Sequence, residues 1–133
     1  MKKVYTSFLI LLLAALLISG CDGFIPSLPE DEYDEENTVL DHIKVFPAKV
    51  EMSINESKIF EVKAYNSDNN LIRIDVAEVK WVAVYQCSLC GKVWKLSPAE
   101  GSLQTTFTPL ETGNYKVWAK YKGEWAKADV EVN

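Results

Sequence analysis

Thr112-Gly113-Asn114-Tyr115-Lys116-Val117-Trp118-Ala119-Lys120-Tyr121, then Lys122-Gly123, then Glu124-Trp125-Ala126-Lys127-Ala128-Asp129-Val130-Glu131-Val132, is the stretch whose reading decides the fold. Side chains alternate between the two faces of a strand. The alternation predicts one strand over Tyr115 to Tyr121 and another over Trp125 to Val132. Lys122-Gly123 suits a two-residue hairpin turn, because glycine accepts a positive φ without a Cβ penalty. With Ala119 and Ala126 facing a core, such a turn sets Trp118 opposite Lys127 and Lys120 opposite Trp125. Lys116, Trp118, Lys120, Trp125, Lys127 and Asp129 then share the outer face, with the two indoles as diagonal neighbours.

Upstream, short alternating runs are separated by turn formers, the pattern of an all-β sandwich. Ile43 to Phe46 runs into Pro47, and Val50, Met52 and Ile54 alternate with polar residues before Asn55-Glu56-Ser57; both read as edge strands. Lys58 to Tyr65 puts Phe60, Val62 and Ala64 on one face and Ile59, Glu61 and Lys63 on the other. Asn66-Ser67-Asp68-Asn69-Asn70 is a run of turn formers. Val79 to Tyr85, Val93 to Leu96 and Leu103 to Phe107 complete the strands. With Trp81 pointing inward, Val82 and Val84 point outward beside Trp118.

Ile43-x-Val45-x-Pro47, Phe60-x-Val62-x-Ala64, Val79-x-Trp81, Thr112-Gly113-Asn114-Tyr115-Lys116-Val117-Trp118-Ala119 and Ala128-x-Val130-x-Val132 together resemble bacterial immunoglobulin-like domains of the group 2 type. The resemblance covers nearly all of residues 41 to 133. It implies an immunoglobulin-like β-sandwich of about seven strands, with Trp81 as the buried tryptophan of the third strand and Tyr115 as the tyrosine of a tyrosine corner. Val117 stands where antibody domains have their second cysteine, so no inter-sheet disulfide is expected. The glycine common before the second strand is replaced by Asn55-Glu56-Ser57.

The N-terminal part has a different character. Lys2 and Lys3 precede the apolar run Phe8 to Ile18, too short to span a bilayer comfortably, and Ser19-Gly20 offers a small-residue cut, as in a secretory signal peptide. Ile18-Ser19-Gly20-Cys21 resembles the lipobox of bacterial lipoproteins. That resemblance implies removal of residues 1–20, acylation of Cys21 with lipid such as palmitate, and anchorage in the bilayer on the extracytoplasmic side of the cell envelope. Residues 21–40 carry Pro26, Pro29 and the acidic cluster Glu30-Asp31-Glu32-Tyr33-Asp34-Glu35-Glu36 without apolar periodicity, and are expected to form a disordered acidic tether. The negative balance of the chain belongs to this segment, whose seven acidic residues outweigh Lys2 and Lys3 to give the formal net charge of −5, since residues 41–133 hold twelve acidic and twelve basic residues. No basic stripe follows a phosphate backbone, which argues against nucleic acid. What remains after residue 20 is enough for one domain.

Cys87-Ser88-Leu89-Cys90-Gly91 is the feature that could carry chemistry. In an envelope compartment its first reading is a local disulfide. The second is half of a zinc site; zinc takes four ligands, and with His42 the sole histidine and Cys21 given to lipid, Cys87 and Cys90 would hold it only in a dimer or with outside ligands. The third, redox exchange, lacks a helix N-terminus or βαβ context. The exposed partner-binding candidates are Trp118, Trp125, Lys120, Lys127, Val82 and Val84. Either lysine stems cover the rings, or the patch meets a partner, with Trp94 extending it. No nucleophile motif or phosphate-cradling loop is present, so an enzyme is not expected, nor a cofactor other than that zinc. The expected function is a membrane-anchored, non-catalytic module for binding a protein or glycan. The alternative is an assembly accessory that forms a homodimer through the sheet face or the cysteine pair.

Overall fold

In the computed structural model, residues 31–87 and 91–133 are described, and they form one compact unit, Asp31–Asn133. The expected signal peptide, Cys21 and the first part of the acidic segment lie outside the described residues, as does Cys90.

Alternation governs the strands. In β3 (Lys58–Tyr65), Phe60, Val62 and Ala64 are buried while Ile59 is exposed. In β5 (Lys80–Tyr85), Trp81 and Ala83 turn inward and Val82 and Val84 outward. The remaining strands are β1 (His42–Phe46), β2 (Lys49–Met52), β4 (Leu71–Ile72), β6 (Trp94–Ser97), β7 (Gln104–Pro109), β8 (Gly113–Tyr121) and β9 (Glu124–Val132). One sheet has the order β1-β3-β7-β6, with the short β4 added to β3, and the other has the order β2-β9-β8-β5. Both expected edge strands are at edges. The chain changes sheets at Pro47-Ala48: β1 is antiparallel to β3, and β2 runs parallel to β9. Proline has no N–H to offer a ladder, and the Ala48 carbonyl already accepts from Asp129 N at 2.9 Å.

The sheets enclose Phe60, Phe107, Trp81, Tyr115 and Val117, each of which contributes about 1.5–3 kcal/mol if it behaves as an ordinary large buried apolar side chain. The Trp81 Nε1–H donates to the Ser102 carbonyl at 2.9 Å, satisfying the one polar atom of a buried indole. Val117, fully buried, packs where a cysteine was not needed. The Tyr115 hydroxyl donates to the Glu111 carbonyl four residues upstream at 2.7 Å, the tyrosine-corner bond. Its ring stacks on Tyr85 with centroids 4.6 Å apart and meets Phe107 and Trp94 edge-on. Burial, with the nearby Tyr85 adding to it, pushes the Tyr115 phenol pKa up. Trp94 thus belongs mainly to the core rather than to an outer surface. The sandwich is immunoglobulin-like, all-β apart from a 3-10 turn at Val76–Glu78.

The expected tether departs from disorder in its second half. Asp34 N donates to the Leu71 carbonyl at 2.7 Å, and its Oδ1 accepts from Glu36 N and Asn37 N, each at 3.0 Å. Its Oδ2 accepts from Asn66 Nδ2 at 2.8 Å and Asn70 Nδ2 at 3.1 Å. These donors, led by Asn37 N, hold the Asp34 carboxyl at a pKa of about 2. Asn66 is fully buried and holds its own turn, its Oδ1 accepting from Asp68 N and Asn70 N. Lys63 pairs with Asp31 at 3.2 Å, a bond that raises the lysine's pKa. Arg73 pairs with Glu35 at 3.2 Å and lies over the Tyr33 ring. Self-repulsion fails to keep this stretch extended because Asn66, Asn70, Lys63 and Arg73 supply the missing donors. The ordered strap runs from Asp31 into β1.

Candidate binding surface

The β8–β9 hairpin has the register that its two-residue turn dictates: Trp118 opposes Lys127, Lys120 opposes Trp125, and Tyr121 opposes Glu124. Lys122 and Gly123 both have positive φ, 46° and 87°, as a type I′ turn requires. On the other side of β8, Val82 opposes Trp118, Val84 opposes Lys116 and Lys80 opposes Lys120. The outer face therefore reads in rows: Lys80, Lys120 and Trp125; Val82, Trp118 and Lys127; Val84, Lys116, Asp129 and Lys49.

All six sequence-predicted partner residues, Trp118, Trp125, Lys120, Lys127, Val82 and Val84, are brought together on this face. The two indoles meet edge to face with centroids 6.2 Å apart. Lys120 Nζ lies 5.1 Å from the centre of the Trp125 ring, so lysine does cover part of it. Even so, Trp125 is 51% exposed and Val82 and Val84 are each 45% exposed. Trp118 is half-buried between its neighbours. Lys127 is 3.1 Å from Asp129. Below these rows a shallow hollow of about 340 Å³ is lined by Lys49, Gln86, Asn114, Lys116, Asp129 and Glu131; sequence reasoning missed it because it needs three strands and the chain after β5 at once.

The cysteine motif lies on the connection from β5 to β6. Cys87 is disulfide-bonded, and its partner lies outside the described residues. A sulfur held in a disulfide has no thiolate to give zinc, and among the described residues no group of three or more His, Cys, Asp or Glu could hold a metal. His42 Nδ1 is 2.8 Å from Asp41, and its ring stacks on Tyr65; among the described residues it makes no hydrogen bond to a hydroxyl or thiol that it could activate.

Known structures overlay on this sandwich. Domains 5–6 of the S-layer protein SbsC match with a TM-score of 0.53 and 17% identity, covering 73% of this chain and 45% of that one. The longer SbsC(31–844) structure matches with a TM-score of 0.50 and 16% identity, over 73% of this chain and 13% of that one. The fold is shared. At this identity the likeness extends to nothing finer, and the chain spans less than half the length of either structure. The Escherichia coli adhesin FdeC overlays less closely, with a TM-score of 0.44 at 19% identity over 69% of this chain and 32% of that one. No protein-family model matches the chain, and no curated protein matches it.

Proposed function

We propose that this chain is an envelope lipoprotein, acylated at Cys21 and held at the extracytoplasmic side of a membrane, that presents a non-catalytic immunoglobulin-like module for binding a protein or glycan. The observation that carries the reading is the outward apolar group Trp118, Trp125, Val82 and Val84. The opposite face of the same sheet already supplies the core, so folding does not require these residues, and exposed apolar clusters of this kind mark interaction surfaces. The fold shared with a surface-layer protein supports an envelope setting, and a disulfide at Cys87 is a bond that such a setting favours.

Two variants test the proposal in cells. Cys21→Ala should abolish palmitate labelling and release the protein from membranes. The double variant Trp118→Ala/Trp125→Ala should keep the fold and the label, yet lose retention on envelopes from cells that lack the protein. Undiminished retention by a folded double variant would remove the binding face. A dimer that the same variant turns into a monomer would make the face a self-association surface instead.

A further inference from the structure

We propose that the binding face takes an acidic polysaccharide, whose sugar rings stack at Trp125 and Trp118 while its carboxylates meet Lys80, Lys120 and Lys116. This rests on the binding reading above and names its ligand class. Charge segregation is the first argument. Residues 41–133 are balanced in formal charge, yet the two rows around the indoles hold Lys80, Lys120 and Lys127 against a single carboxylate, Glu100, which continues the first row beyond Lys80 at the edge of β5. The next acid is Asp129, one row on, which pairs with Lys127 at 3.1 Å and leaves Lys80 and Lys120 beside Trp125.

The second argument is an unmet cost. Lys80 and Lys120 stand directly opposite each other on the same face, and like charges in register destabilise a sheet. Among the described residues, Lys80, Lys116 and Lys120 have no ion-pair partner. An anion on this face would relieve the repulsion. The geometry then separates a sugar from a plain anion. Lys120 Nζ sits 5.1 Å from the Trp125 ring centre, which places a cation and a half-exposed aromatic surface side by side. Further along, the hollow offers the Gln86 and Asn114 amides to hydroxyls, with Lys49 and Lys116 set against Asp129 and Glu131, so it suits an uncharged part of the sugar chain. From the row of Lys120 to the row of Asn114 is six residues of β8, about 20 Å at strand rise, room for a chain of several sugars laid along the strand.

The test uses the whole lipid-anchored chain in detergent and measures binding to immobilised polygalacturonate, with dextran and polyglutamate as comparators. Binding to polygalacturonate should exceed binding to each comparator by about tenfold, a difference of about 1.4 kcal/mol, and should weaken with salt. Lys80→Glu/Lys120→Glu and Trp125→Ala should each lower it by a similar factor. Trp125→Tyr should restore most of it, and Lys95→Glu, exposed on the other sheet, should change it little. Equal binding to polyglutamate, equal binding to dextran, or variants that stay folded and bind normally would each overturn the proposal. Envelope retention that depends on Trp118 and Trp125 without any polygalacturonate binding would overturn the sugar assignment alone. Retention and polygalacturonate binding both indifferent to the two tryptophans would remove the binding face as well.

Discussion

Tyr115→Phe isolates the tyrosine corner from the packing around it. The variant keeps the ring, and with it the stack on Tyr85 at 4.6 Å and the edge contacts to Phe107 and Trp94. It deletes the hydroxyl that donates to the Glu111 carbonyl at 2.7 Å. Tyr115 is almost fully buried, whereas Glu111 is exposed, so water can reach the abandoned carbonyl in part. The loss should therefore fall at about 1–2 kcal/mol, between a net hydrogen bond and a fully orphaned buried acceptor. For a domain of this size each kcal/mol lowers Tm by about 4–8 °C. Urea denaturation is the assay, with an unchanged m-value showing that the unfolded state is unaffected. Tyr115→Ala should cost about 3–5 kcal/mol, since it also leaves a cavity. A Tyr115→Phe loss below about 0.3 kcal/mol, with the Tyr115→Ala loss intact, would refute the idea that the hydroxyl, and not only the ring, fastens the β7–β8 corner.

Other changes probe other parts of the fold. Gly113 has φ of 137°, and a Cβ there would lie 2.6 Å from the Tyr85 ring; Gly113→Ala should destabilise by about 1–3 kcal/mol in the same denaturation assay. Lys122→Asn should raise stability by about 0.5 kcal/mol, because asparagine tolerates the left-handed conformation of this turn position better than lysine; a lower midpoint would count against the turn assignment. Asp34→Ala should abolish amide-exchange protection at Asn37 while leaving the strands protected. The folded-state pKa of Asp34 is depressed from 3.8 to about 2. Its stabilising contribution is therefore complete above the unfolded value and lost as pH falls toward 2, so the strap should loosen in that window and stay docked at neutral pH.

Local patterns made most of this fold legible. Two-residue alternation located β3, β5, β8 and β9, and the length of the Lys122-Gly123 turn fixed the register that sets Trp118 against Lys127. Trp81 and Tyr115 took their expected places because large rings with one polar atom need both burial and a partner. The order of the Asp31–Asn37 strap was hidden for a physical reason. Its hydrogen bonds join side chains some thirty residues apart, such as Asp34 with Asn66, and leave no periodic trace. An acidic run beside no visible cation reads as repulsive until the fold brings Lys63 and Arg73 alongside. The two-residue β4 was missed because Leu71-Ile72 is too short to alternate. Asn55, at φ of 62°, shows how the turn manages without the glycine that the resemblance leads one to expect. The candidate face was legible as a set of residues, while its polar hollow and the isolation of its lysines required three strands in register.

The central claim, that the Trp118 and Trp125 face is the working surface, is tested most directly through the indole Nε1–H signals. The chain has four tryptophans, and Trp81 is a built-in reference because its Nε1–H is bonded to the Ser102 carbonyl. Adding envelope particles to the isotope-labelled protein in detergent should selectively attenuate the Trp118 and Trp125 signals, while Trp81 follows the bulk of the core. Attenuation centred on the Asp31–Asn37 strap, or uniform across all four indoles, would contradict the account.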